Sequence, residues 1–131
     1  MKVVVVTGGF DPIHSGHIEY FQAAKELGDF LMVGVNSDEW LTRKKGKPFL
    51  SFDERKVIVG MIKGVGHAFG FNDDDGSAID AINYAKKMFP RAEIIFANGG
   101  DRTKDNIPEM SVDDVTFEFG VGGENKLNSF V

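Results

Sequence analysis

The sequence predicts an α/β fold, a doubly wound, five-stranded parallel sheet flanked by helices, in a single domain over residues 1–131. Three observations carry that reading. Short β-branched runs alternate with amphipathic segments, the pattern of βαβ units. The first two runs, Lys2 to Val6 and Asp29 to Val35, are near-continuously apolar rather than alternating, as strands covered on both faces must be. Glycine-rich turns follow the strands at once, and turns of that kind open the ligand crevice of such sheets.

The elements follow in order. Lys2-Val-Val-Val-Val6 reads as the first buried strand, with Gly8-Gly9 and Asp11-Pro12 supplying turn chemistry behind it. From Gly16 to Leu27 the residues Ile18, Phe21, Ala24 and Leu27 recur at helical spacing, and Gly28 suits the position just past a helix end. Asp29 to Val35 is a second buried strand. Asn36-Ser37-Asp38 can cap a short helix through Leu41, and Arg43 to Lys47 reads as a basic loop. Ser51-Phe-Asp-Glu54 has the form of a capping box, with a helix expected to Lys63.

His67 to Phe71 is the third strand. Asp73-Asp-Asp75 is expected to open a helix to Met88, with Ile79, Ile82 and Ala85 on one face; acidic residues belong at a helix start, so the run calls for no functional role. Glu93 to Ala97 and Val115 to Gly120 are strands four and five. The loops after strands one, two, four and five are then expected to surround a site at the switch point of the sheet.

Composition narrows the function classes. A formal charge of −5 disfavours a broad nucleic-acid or anionic-membrane footprint, while leaving room for a local basic pocket. With no cysteine there is neither a disulfide nor a thiolate metal site, which fits a cytoplasmic location. Val3 to Val6 is too short for a secretory signal core, and no apolar run approaches membrane-spanning length.

The unusual chemistry sits in the first turn. It joins a buried strand to a helix start, where exposed N–H groups and the helix dipole favour an anion. Gly8 and Gly9 let a phosphate approach the backbone closely. His14 and His17, three apart, can turn their rings to one side. From spacing alone the pair has three uses: capping, metal ligation, or stabilising charge on transferring phosphoryl oxygens. The turn is not the dinucleotide fingerprint, since G-x-G-x-x-G is absent.

Gly8-Gly9-Phe10-Asp11…His14-x-Gly16-His17 resembles the HxGH signature of the cytidylyltransferase-like nucleotidyltransferases. Ala24-Lys25-x-Leu27-Gly28-Asp29 and Val35-Asn36-Ser37-Asp38 resemble segments of glycerol-3-phosphate cytidylyltransferases and of heptose-1-phosphate adenylyltransferases. Lys44 and Lys47 fall where the former carry loop lysines; Lys45-Gly46-x-Pro48 and Gly99-Gly100-Asp101 are closer to the latter. Glu54-Arg55 matches the arginine opening the next helix in both.

The resemblance implies transfer of a nucleoside monophosphate from CTP or ATP to a small phosphorylated polyol, sugar or alcohol, with pyrophosphate leaving. It implies Mg²⁺ with the triphosphate, held mainly by phosphate oxygens and water. Catalytic roles fall by resemblance to His14, His17, Lys44 and Arg55. Nucleotide contacts fall to Gly8, Gly9, Phe10, Asp11, His14, Gly16, His17, Lys47, Gly99, Gly100, Asp101, Asn128 and Ser129. For Asp11 a turn role before Pro12 is the stronger reading than metal binding, Trp40 can line an acceptor pocket or pack, and His67 reads as structural.

Two departures stand out. Position 9 is Gly where many relatives have Thr or Cys, which removes a hydroxyl. Relatives also end with a Ser/Thr-rich turn opening a last helix, whereas here Asn128-Ser129-Phe130 is followed by Val131 alone, so that helix is not expected. These departures leave a non-catalytic nucleotide-binding module as the alternative. A homodimer is expected because relatives dimerise and Phe130 would otherwise lie uncovered.

Overall fold

The computed structural model describes residues 1–99 and 107–122. The order is β1 (Lys2–Gly8), α1 (Ser15–Lys25), β2 (Phe30–Val35), α2 (Asp38–Lys45), α3 (Phe52–Gly60), β3 (His67–Gly70), α4 (Ile79–Met88), β4 (Glu93–Ala97), a 3₁₀ turn (Pro108–Ser111) and β5 (Val115–Glu118). All five strands are parallel, in the order β3-β2-β1-β4-β5. This is the doubly wound sheet the sequence predicts.

The alternation of side chains along β1 shows why the apolar run is continuous. Val3 and Val5 face α4 in a core with Met32, Ile82, Ala85, Ile94 and Phe96, whereas Val4 and Val6 face α1 and α3 with Phe21, Ala24, Leu31, Val33 and Val59. Each face of the strand is fully covered, so neither set can be polar. The direction of winding reverses between β1 and β4, and the crevice opens where Gly8 and Gly9 leave one strand and Asn98 leaves the other.

Several boundaries differ from the sequence reading, for identifiable reasons. β1 continues to Gly8, because Gly8 still pairs with Val35. α1 ends at Lys25 with Glu26 as its C-cap, so Gly28 lies beyond the cap; Lys2 O and the Val4 side chain crowd it closely enough to exclude a Cβ. α2 does not stop at Leu41 but runs to Lys45, so Arg43 to Lys45 are helical rather than loop. Ser37 Oγ caps it from one end, and three cations complement the dipole at the other. α3 ends at Gly60 rather than Lys63.

The largest correction concerns Asp73-Asp-Asp75, which precedes α4 without forming its first turn. Asp73 is buried and binds back across the sheet edge to the loop after β2. Its carboxylate accepts from Asn36 Nδ2 (2.9 Å), the Ser37 N–H (2.8 Å) and Ser37 Oγ (2.7 Å). Burial alone would raise the Asp73 pKa, but those donors hold it below the usual carboxylate range.

Candidate functional site

The first turn is built by the two histidines themselves. His14 is the N-cap of α1, and its Nδ1 accepts from the Gly16 N–H at 3.1 Å. His17 Nδ1 in turn accepts from the His14 N–H at 3.2 Å, closing a reciprocal capping box. A backbone N–H can only donate, so both Nδ1 atoms are unprotonated, and the ring proton of each neutral imidazole sits on Nε2. The rings stack with centroids 3.9 Å apart. The cap therefore fixes both tautomers and leaves both Nε2–H groups as donors; His17 lines a cleft, and His14 is not among its lining residues.

Phe10 braces this arrangement from behind. Its ring meets the His17 ring edge-on at 5.1 Å and packs on Phe21. Phe10 takes a φ of 51°, uncommon for a residue with a side chain, and the burial of its ring in the core holds it there. A Cβ at Gly8 would come within 2.8 Å of that ring, which accounts for glycine at this position.

Burial, with repulsion from His14 second, pushes the His17 pKa down to about 4. Protonation would also remove the acceptor that completes the cap. In the window from about pH 6.5 down to about 4 the unfolded chain binds a proton at position 17 that the folded chain refuses. Stability therefore falls as pH falls through that window. Thermal melts at pH 7 and pH 4.5 are expected to show the drop, and His17→Gln is expected to flatten it. An equal slope in both proteins would refute the assignment. Asp11 and Asp73, whose pKa values lie below the ordinary 3.8, act only in more acidic solution.

A cleft of about 730 Å³ lies against this turn, within the size range of small-ligand sites. Thr7 to Asp11, His17 and Tyr20 form one side, and Asn36, Trp40, Leu41, Lys44, Lys45 and Phe49 form the other. Gly76 to Ala78 and Glu109 close it. The loop after β3 thus contributes, although the sequence reading assigned the site to the loops after the other four strands.

Arg55 requires a correction. The resemblance assigns it to phosphate, but it is 1% exposed and faces inward. Its Nε–H donates to Leu50 O (3.1 Å), its Nη1 to Gly9 O (2.9 Å) and Asn36 O (2.7 Å), and its Nη2 to Asp38 Oδ1 (2.8 Å). Four of its five donors are engaged, so it clamps the first turn to the loops before α2 and α3 from beneath the cleft.

Asp11 is likewise committed. Its carboxylate accepts from the Phe49 N–H (2.7 Å), the Leu50 N–H (2.8 Å) and Lys45 Nζ (2.8 Å). Burial would raise its pKa, but these bonds hold it below the usual range. It acts as a tie between two loops while also lining the cleft.

Of the other sequence-predicted residues, Lys44 and Gly9 line the cleft, while Lys47 is exposed outside it. Gly16 serves the cap through its N–H. Gly99 follows β4, close against the Tyr20 ring and Val121 O. Gly100, Asp101, Asn128, Ser129 and Phe130 lie outside the described residues. Trp40 lines the cleft, and His67 sits away from it, its Nε2 3.0 Å from the Tyr84 hydroxyl. Sequence reasoning missed Tyr20, Ser77 and Glu109. Glu109 is buried and accepts from the Ala78 N–H at 2.6 Å, at the start of α4, where no side chain of that helix supplies a cap.

Comparison with known proteins bears on the family and the fold. The Bifunctional protein HldE of Enterobacter sp. (strain 638) is 34% identical over 112 residues, and that of Klebsiella pneumoniae (strain 342) is 33% identical over 112 residues. Each alignment covers 76% of this chain and 24% of the relative, so the chain spans about a quarter of the length of the curated relatives it matches. Among solved structures, a lipopolysaccharide core biosynthesis protein from Thermoplasma volcanium GSS1 superposes with a TM-score of 0.69 at 24% identity, covering 91% of this chain and 95% of its own. A protein of unknown function from Archaeoglobus fulgidus gives 0.58 at 22% identity, covering 91% and 88%. These two likenesses speak to the fold alone. Residues 5–121 match the family described as Cytidylyltransferase-like. The chain belongs to that family, whose members are nucleotidyltransferases.

Proposed function

We propose that the chain catalyses transfer of a nucleoside monophosphate from a nucleoside triphosphate to the phosphate of a small sugar, polyol or alcohol phosphate. The observation that supports this best is the stacked His14–His17 pair, whose Nδ1 atoms are used up in capping and whose Nε2–H groups are left as neutral donors, with His17 lining the cleft. An acceptor phosphate oxygen attacks the α-phosphorus, the bond to the bridging oxygen breaks, and pyrophosphate departs. No proton has to reach a side chain, so positioning and charge stabilisation carry the reaction. The donors of His17 and His14 and the Lys44 ammonium meet the phosphoryl oxygens on this reading.

The resemblance of Lys45-Gly46-x-Pro48 and Gly99-Gly100-Asp101 to heptose-1-phosphate adenylyltransferases favours ATP. CTP is the second reading, favoured by Lys44 at a position where glycerol-3-phosphate cytidylyltransferases carry a loop lysine. Mg²⁺ accompanies the triphosphate. Among the described residues no group of three or more His, Asp or Glu side chains forms a cage for it. Asp11, the carboxylate nearest the turn, is already tied to Lys45 and two amides. The donor set suits an ion held by phosphate oxygens and water, with no side chain as its principal ligand.

The test is pyrophosphate release with Mg²⁺, ATP or CTP, and a panel of sugar, polyol and alcohol phosphates. One pair is expected to turn over well above the rest. Tight triphosphate binding by calorimetry with no release from any pair would instead establish a nucleotide-binding module.

A further inference from the structure

Two lysines stand over aromatic rings on the wall of the cleft, and they are held in different ways. Lys45 Nζ lies 4.6 Å from the Phe49 ring centroid, and Asp11 also ties it through both its carboxylate (2.8 Å) and its carbonyl oxygen (2.7 Å). Lys44 Nζ lies 4.6 Å from the Trp40 ring centroid. Among the described residues no carboxylate pairs with it, and the indole is what holds it.

Trp40 is itself well placed to hold a cation at the cleft. Its backbone N–H donates to Ser37 Oγ at 3.0 Å, fixing the first turn of α2. Its ring edge lies over the bare backbone of the phosphate turn: a Cβ at Gly9 would come 3.4 Å from Trp40 Cζ3 and 2.9 Å from Leu41 Cδ2. The space beside position 9 is thus occupied by side chains of α2.

We propose that Trp40 is a positioning residue for Lys44. It keeps the ammonium on its π face at the cleft wall, and Lys44 passes from there to an arriving phosphoryl group. This rests on the nucleotidyltransferase reading of the cleft. A cation held by an aromatic face is attracted without being neutralised, so no ion pair has to break before a phosphate is met. Lys45, paired with Asp11, is not available in that way. The phosphoryl group can arrive on the triphosphate or on the acceptor, and the chemistry of recognition is the same.

Trp40 is the only tryptophan of the chain, so its emission reports on this wall directly. The protein is titrated with tripolyphosphate and, separately, with glucose 1-phosphate, with calorimetry in parallel. A saturable change in emission that is absent in Lys44→Gln is expected. Its appearance with the first ligand assigns Lys44 to the triphosphate, and with the second to the acceptor. A change that persists in Lys44→Gln, or emission that stays silent with both ligands while calorimetry shows tripolyphosphate bound, overturns the proposal and leaves the nucleotidyltransferase reading standing. Failure of tripolyphosphate to bind at all sinks both.

Kinetics give a second arm. Trp40→Leu, which keeps bulk without a π face, is expected to raise KM for the phosphate-bearing substrate about two- to five-fold with little change in kcat. Trp40→Phe, which keeps a π face, is expected to stay near the parent value. Equal effects from the two substitutions would mean that residue 40 only fills space.

Discussion

Replacing His17 with alanine is expected to lower turnover by about 10²–10³-fold, the loss usual for one preorganised donor aimed at developing charge. The substitution removes two things at once. One is the Nε2–H donor at the cleft; the other is the Nδ1 acceptor that caps the His14 N–H. Loss of a cap costs about 1 kcal/mol and would not by itself abolish activity. The two can be separated with amide side chains. Asparagine can place an oxygen near the Nδ1 position and restore the cap without supplying the outer donor. His17→Asn is therefore expected to melt closer to the parent than His17→Ala while turning over equally slowly. Single-turnover rates and thermal melts on the same preparations decide it, and normal turnover in either variant removes His17 from the chemistry.

Arg55→Lys is expected to destabilise the fold by about 3 kcal/mol, a fall of roughly 10 °C in Tm. Lysine offers its donors from one point and cannot span the carbonyls of Leu50, Gly9 and Asn36 together with Asp38. Buried acceptors left unsatisfied cost about 1–3 kcal/mol each, partly recovered by relaxation. If Arg55 instead bound a phosphate from the cleft, the conservative change would leave the melt unmoved and raise KM alone. The two accounts predict opposite patterns, and differential scanning calorimetry with steady-state kinetics distinguishes them.

What could be read from the sequence follows the range of the interaction. Strands β1 and β2 were legible because a strand covered on both faces must be apolar throughout, and Val3 to Val6 or Leu31 to Val35 can hardly be anything else. The histidine pair was legible because its spacing is local and its caps close within one turn of helix. α2 was read too short, since only Leu41 of its residues is buried and Arg43 to Lys45 carry no apolar period. Asp73 was read as ordinary helix-start acidity because its true partners, Asn36 and Ser37, are remote in sequence. Arg55 and Glu109 were misread or missed for the same reason. Each is a polar residue whose partners the topology brings in from afar, and no window along the chain contains both ends.

The strand order also sets a timetable for the growing chain. β1 lies at the middle of the sheet, yet one of its two neighbours is β4, with Lys2 in register with Glu93. The first strand leaves the ribosome long before that neighbour exists. Until then the flank of β1 that β4 will later cover stays an open ledge, with Val3 and Val5 lacking Ile94 and Phe96 beside them. A nascent chain halted before β4 should therefore be sticky and dependent on chaperones, and extension through Ala97 should seal it.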